Sequence, residues 1–154
     1  MKNILQSDSE RFNIILVDDD SDDRMLFEEV FSELKLKSKL LTFKNGLEAI
    51  NYFERADTAV PHVIFLDLNM PIMGGLEVLE ILRRTEKYKF VPIAIYSTSS
   101  AEKDIEETLV SGANIYITKP NDYDKLKDVM NSVLKMQWQY HNSSLSISTF
   151  VMVY

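Results

Sequence analysis

The 154-residue chain contains no cysteine, which removes disulfides, thiolate metal sites and cysteine nucleophiles together. Only four glycines and four prolines are present, too few for a low-complexity linker with a second domain behind it. No apolar run approaches the length of a membrane span. The opening M-K-N-I-L-Q-S-D-S-E-R also lacks the continuous apolar segment of a signal peptide, so a cytoplasmic protein without membrane contact is expected. Positive charge is scarce as well. The formal net charge is −7, and Arg83, Arg84, Lys87 and Lys89 form only a small local cluster, so direct nucleic-acid binding is not expected. What remains, 45% hydrophobic residues, suffices for one domain with its own core.

The most informative stretch is 62–75, H-V-I-F-L-D-L-N-M-P-I-M-G-G. Val63, Ile64, Phe65 and Leu66 run without polar alternation, as in a parallel strand covered on both faces. The strand opens into a loop with Asp67 at its lip. In an open α/β sheet the ligand crevice lies outside the carboxyl ends of the strands, which places this acid for chemistry. A solvated aspartate capping the next helix is the plainer alternative.

The rest of the chain repeats the pattern. Residues 12–17 read as a buried strand running into Asp18, Asp19 and Asp20, with Asp20 or Ser21 capping a helix whose first-turn acids suit the positive end of its dipole and which buries Phe27, Val30, Phe31 and Leu34. A strand over 39–43 turns at Asn45-Gly46 into an amphipathic segment over 47–55. Leu76, Leu79 and Leu82 face inward from a helix over 75–84. Pro92 precedes a strand over 93–97, Ser99 with Glu102 forms a capping box, and Gly112 ends the helix that follows. The fifth strand, 114–118, ends at Lys119-Pro120; Asn121 or Asp122 caps a last helix that buries Leu126, Val129, Met130, Val133 and Leu134. Five strands alternating with five helices predict a flavodoxin-like, doubly wound parallel sheet of order 2-1-3-4-5, helices on both faces.

Asp18 and Asp19 follow the first strand, Asp67 the third, Ser97 ends the fourth and Lys119 follows the fifth. Three acids, a hydroxyl and an amine thus gather at one end of the sheet, more than helix capping accounts for. Crowded carboxylates repel one another and call for a hard divalent cation.

At these residues the chain resembles the receiver domain of bacterial two-component response regulators, in the single-domain chemotaxis style. The matching pieces, over 12–136, are the acidic pair in L-V-D-D, the segment F-L-D-L-N-M-P-I-M-G-G, the hydroxyl in I-Y-S-T-S and the K-P dipeptide. The resemblance implies that Asp67 is phosphorylated by a sensor histidine kinase or a histidine phosphotransfer protein. It implies Mg²⁺ or Mn²⁺ on Asp19, Asp67 and the backbone carbonyl of Asn69, with Asp18 binding it directly or through water and Lys119 pairing with the phosphoryl oxygens. Ser97 would sense the phosphate. Tyr116, three residues before Lys119, would then swing inward and alter the face over 101–127 that a downstream protein target reads. A cis bond before Pro120 would aim Lys119, against the alternative of a trans proline starting the helix, and Gly74 and Gly75 would supply positive φ. Two departures stand out: Ser97 replaces the commoner threonine, and Thr98 is larger than the usual small residue, which bears on the lifetime of the phosphorylated state.

His62 and His141 read as plain surface residues, and Met70 and Met73 as partly buried beneath the loop. Residues 1–11 read as a polar lead, 12–140 as the receiver and 141–154 as a tail with no separate output domain. The tail, through F-V-M-V-Y, reads as an edge strand, an interaction segment supporting a homodimer, or a disordered end. The chain is expected to act as a signalling protein that catalyses only its own phosphorylation and dephosphorylation. The alternatives are a receiver-like docking module that takes no phosphate, a haloacid-dehalogenase-type hydrolase, which would want a carboxylic acid where Asn69 stands, and a flavodoxin, disfavoured by the acidic first loop.

Overall fold

A computed structural model describes residues 12–34, 37–143 and 150–152, with side chains as far as Met136. The elements alternate as β1 (Phe12–Val17), α1 (Ser21–Glu33), β2 (Ser38–Phe43), α2 (Gly46–Phe53), β3 (Val63–Leu66), α3 (Gly75–Arg84), β4 (Ile93–Ser97), α4 (Glu102–Val110), β5 (Ile115–Thr118), α5 (Tyr123–Ser143) and β6 (Phe150–Met152). The sheet is parallel throughout, in the order β2-β1-β3-β4-β5-β6. The expected five-strand order is present, and the tail adds a sixth strand on the β5 edge, pairing Tyr116 with Val151. The tail forms the expected edge strand over Phe150–Met152; residues 144–149 lie outside the described residues. No described helix is long and apolar enough to cross a membrane.

Alternation along the strands explains the two layers. Ile15, Val17, Ile64, Leu66, Ile93, Ile95 and Tyr116 pack with α2 and α3 on one face. Ile14, Leu16, Val63, Phe65, Ala94, Tyr96, Ile115 and Ile117 pack with Phe27 and Val30 of α1 and the apolar stripe of α5 on the other. Both faces are sealed, which is why the central strands carry unbroken apolar runs. Met70 is buried and Met73 partly so, as expected.

Several local expectations are corrected. Ser99 and Glu102 form no capping box: α4 begins at Glu102 behind Ala101, and the Ser99 hydroxyl donates instead to Asp104 Oδ2 (2.5 Å) while accepting from the Ala101 amide (3.2 Å). No described peptide bond is cis, the one before Pro120 included. Lys119 is aimed without it, because its amide donates to the Ser97 carbonyl (2.7 Å) and its ammonium is held by carboxylates. His62 is no plain surface residue, since its Nδ1 accepts the Asn13 amide (2.9 Å) beyond the start of β3 and its ring meets Phe12 edge-on. Arg83 belongs to no surface cluster. Half-buried at the end of α3, it donates to the carbonyls of Gly112 (2.9 Å) and Val91 (2.7 Å) and to the Asn114 side chain (2.9 Å). Gly112 ends α4 with φ +113°, as expected of a terminating glycine.

Candidate functional site

The last rungs of the ladder bring the site residues together. The Asp18 amide donates to the Phe43 carbonyl (3.0 Å), Asp67 to Val17 (2.9 Å) and Lys119 to Ser97 (2.7 Å). Each residue is therefore still held by the sheet while its side chain enters the crevice. Asp18 Oδ1 accepts the Asp20 amide (3.0 Å), and Asp20 in turn caps α1 through the Asp23 amide (3.0 Å). The Arg24 guanidinium donates to the Asp18 carbonyl (2.7 Å), tying the start of α1 to the same loop.

The loop after β3 is shaped at two positions. Gly74 has φ −78°, so neither it nor Gly75 supplies the expected positive φ. Gly75 is needed for closeness instead: a Cβ there would sit 2.1 Å from the Asp67 carbonyl, against which α3 starts. The positive φ falls on Ile72, at +69°. The Met73 amide donates to the Pro71 carbonyl (2.7 Å) across it, which closes a three-residue turn.

Asp18 is fully buried, Asp67 is 5% exposed and Asp19 stands at the rim. One carboxylate oxygen from each lies within 4.8 Å of the other two. Lys119 Nζ is 2.9 Å from Asp18, 2.7 Å from Asp23 and 3.7 Å from Asp67, and 5.3 Å from the centre of the Tyr96 ring. Burial, with the Asp18 and Asp19 carboxylates adding to it against the pull of Lys119, raises the Asp67 carboxyl to about 7. Asp18 is raised as well, by burial first. Burial would lower the Lys119 ammonium, but Asp23 and Asp18 outweigh it and hold it above its ordinary value. Asp18 Oδ2 is buried at ion-pair distance from Lys119 yet has no hydrogen-bond partner. Three hard oxygen donors, one of them unsatisfied, fit a small divalent cation.

Above this cluster Ser97 is fully buried, its Oγ accepting the Ser99 amide (3.1 Å). The Tyr116 hydroxyl donates to the Ser99 carbonyl (2.8 Å), and its side chain is fully buried. In the phosphate-free chain the ring already lies inside, within the core layer, with its hydroxyl on the Ser99 carbonyl. Asn69 and Thr98 are both exposed at the mouth, and Pro120 is buried beneath Lys119. Asp23 escaped sequence reasoning, which saw it only as an acid suited to a helix start. Its place one turn beyond the acidic pair, on the face α1 turns to β5, was the available signal.

A fold with carboxylates, hydroxyl and amine at these strand ends defines a class. The response regulator receiver domain model matches residues 14–131, and the chain belongs to that family. Among relatives, it is 30% identical to response regulator Rcp1 of Synechocystis over 78% of this chain and 82% of that protein. It is 31% identical to chemotaxis protein CheY1 of Helicobacter pylori over 79% of this chain and 95% of that one. The fold is similar to the phosphorylated cyanobacterial phytochrome response regulator RcpA, with TM-score 0.76 and 28% identity over 89% of this chain and 98% of that one. It is similar also to the Mn²⁺-bound form of Rcp1, with TM-score 0.72 and 25% identity over 88% and 98%. Nothing in these matches points to a haloacid-dehalogenase hydrolase or a flavodoxin.

Proposed function

We propose that the chain is a phosphoaccepting receiver in which Asp67 takes a phosphoryl group from the phosphohistidine of a sensor kinase or phosphotransfer protein. The observation that carries this reading is the Asp67 carboxylate, 5% exposed at the end of β3, with the Lys119 ammonium 3.7 Å away and two further carboxylates facing it. An Asp67 oxygen attacks phosphorus, the new P–O bond forms as the P–N bond breaks, and the imidazole leaves. Little covalent work falls to the protein, so the catalysis is positioning and charge. Lys119 pairs with the phosphoryl oxygens. Ser97, whose Oγ accepts the Ser99 amide, meets them from β4. Asp18, Asp19, Asp67 and the Asn69 carbonyl would hold Mg²⁺ or Mn²⁺, which when bound offsets the carboxylate repulsion and the phosphoryl charge.

Phosphate then acts by stabilising one state of a two-state face. Tyr116 already lies inside, bonded to the Ser99 carbonyl. Ser97 joins that same loop to the phosphoryl group, so phosphorylation deepens a state the chain holds in part rather than creating it. The readable surface is α4, β5 and the start of α5, offered to a downstream protein.

Intact-mass measurement with a small-molecule phosphodonor tests the reading. One added phosphate is expected on the wild type in Mg²⁺, and none on Asp67→Asn or in chelator. Equal labelling of both proteins, or indifference to chelator, sinks it; so does no labelling of the wild type, which would favour a docking module that takes no phosphate.

A further inference from the structure

Three carboxylates approach Lys119, those of Asp18, Asp23 and Asp67, and they divide into two kinds. Asp18, Asp19 and Asp67 converge on one another. Asp23 is not among them: it lies in the first turn of α1, beyond the loop that carries Asp19, and its Oδ2 accepts from Lys119 Nζ at 2.7 Å, the shortest of the ammonium's three carboxylate approaches. The Lys119 side chain is 7% exposed and that of Asp23 35%, so the pair reaches from the buried site to the surface of α1.

An ammonium has three N–H donors at tetrahedral angles, so fixing one of them limits where the others point. A cation on the converging trio would take the oxygens of Asp18, and with them one of the two contacts that now hold Lys119 closest. The contact to Asp23 would survive, because Asp23 offers nothing to that trio. A lysine left with no anchor would swing on four rotatable bonds, at an entropic cost each time it had to meet a phosphoryl oxygen.

We propose that Asp23 is a positioning residue for phosphoryl capture: it tethers the Lys119 ammonium from α1 and keeps a donor turned toward Asp67. The proposal rests on the phosphoacceptor reading of Asp67. Two effects of the Asp23 carboxylate oppose each other. As a tether it favours capture through Lys119; as a negative charge near the site it disfavours an anion there, with or without the lysine.

A double-mutant cycle separates them. Beryllofluoride affinity in Mg²⁺ should fall about tenfold in Asp23→Ala, as expected for losing a charge-assisted hydrogen bond that orders the group it holds. In a Lys119→Met background the same substitution should leave affinity unchanged or raise it. A fall of equal size in both backgrounds, or none in the wild type, overturns the proposal. The second readout needs no ligand: the ¹⁵N signal of the Lys119 ammonium, slowed in its exchange with water by the carboxylates, should lose that protection in Asp23→Ala. An unaltered signal would mean that Asp23 does not hold the lysine at all. Wild-type protein that takes up no beryllofluoride would overturn the phosphoacceptor reading and with it the capture role, whereas the ammonium signal would still report the pairing.

Discussion

The two ends of the sheet bury charge in opposite ways. Where the strands begin, Arg83 has its guanidinium spread over the carbonyls of Val91 and Gly112 and the Asn114 side chain, and Asn114 Oδ1 also accepts the Ile93 amide (2.9 Å). Nearby, the Tyr88 hydroxyl donates to the Phe53 carbonyl (3.0 Å) and meets Thr58 (2.8 Å). Where the strands end, one ammonium serves several carboxylates, and Asp18 Oδ2 is left without a hydrogen bond. The first end is satisfied as it stands, with neutral partners around one cation. The second is in deficit, and only an added cation or a partial loss of negative charge relieves it. Stability and chemistry have been given separate addresses on one scaffold.

Removing Arg83 should expose that division most strongly. Arg83→Met leaves buried carbonyls and Asn114 without their donor, and a loss of about 4 kcal/mol in denaturant unfolding is expected. Phosphate uptake at Asp67 by the fraction that remains folded should be unchanged. A variant that stays stable but loses uptake would erase the distinction between the two ends.

The response to pH should be the next largest. The Asp67 carboxyl, raised to about 7, keeps its proton in the native protein across a range in which the unfolded chain, near 3.8, has released it. The native state then binds more protons, so stability is full below about pH 4 and falls as pH rises toward 7, by about 3 kcal/mol in chelator. Asp67→Asn should flatten most of that slope and leave only the share of Asp18, which is raised by burial too. Titrating Arg83→Met should give the wild-type slope on a lower baseline. A metal-free wild type whose stability rises over pH 4 to 7 would reverse the assignment.

Adding Mg²⁺ should act on the strand ends alone. At a hundredfold excess over its dissociation constant, a cation that binds only the folded protein stabilises it by about 2.7 kcal/mol. That increment should appear at pH 7 in the wild type and in Arg83→Met, and vanish in Asp19→Asn, as read by thermal unfolding with and without chelator.

The contrast also explains which features were legible in the sequence. The strands announced themselves as apolar runs and the helices as periodic stripes, because the sheet is covered on both faces and each element has one job. Asp18, Asp67, Ser97 and Lys119 could be read because each directly follows or ends such a run. What escaped was pairing across space. Arg83 looked like one of four surface basics, since nothing local says that α3 ends beside the loops at Val91 and Gly112. Asp23 looked like a helix-start acid, and only the β5 register brings Lys119 to it. Gly74 and Gly75 drew attention because glycine tolerates positive φ, yet it is the close approach of α3 to Asp67 that requires Gly75.

The smallest effect concerns the strain at Ile72, in the loop of the chemical end. Its φ of +69°, with the Met73 amide bonded back to the Pro71 carbonyl, puts a β-branched residue at the centre of a three-residue turn of the strained hand. Its side chain is 92% exposed and so recovers almost nothing by burial. Asparagine tolerates this backbone region far better, because its short polar side chain can bond locally. Ile72→Asn should therefore raise stability by about 1 kcal/mol in denaturant unfolding, with no shift in the pH slope set by Asp67. If the strained turn serves only to carry the loop past Asp67, the rate of phosphate uptake should also stay the same. Uptake that slows while stability rises would show that the isoleucine is kept for the chemistry, as a contact for the phosphodonor protein, and that the loop pays for that contact in strain.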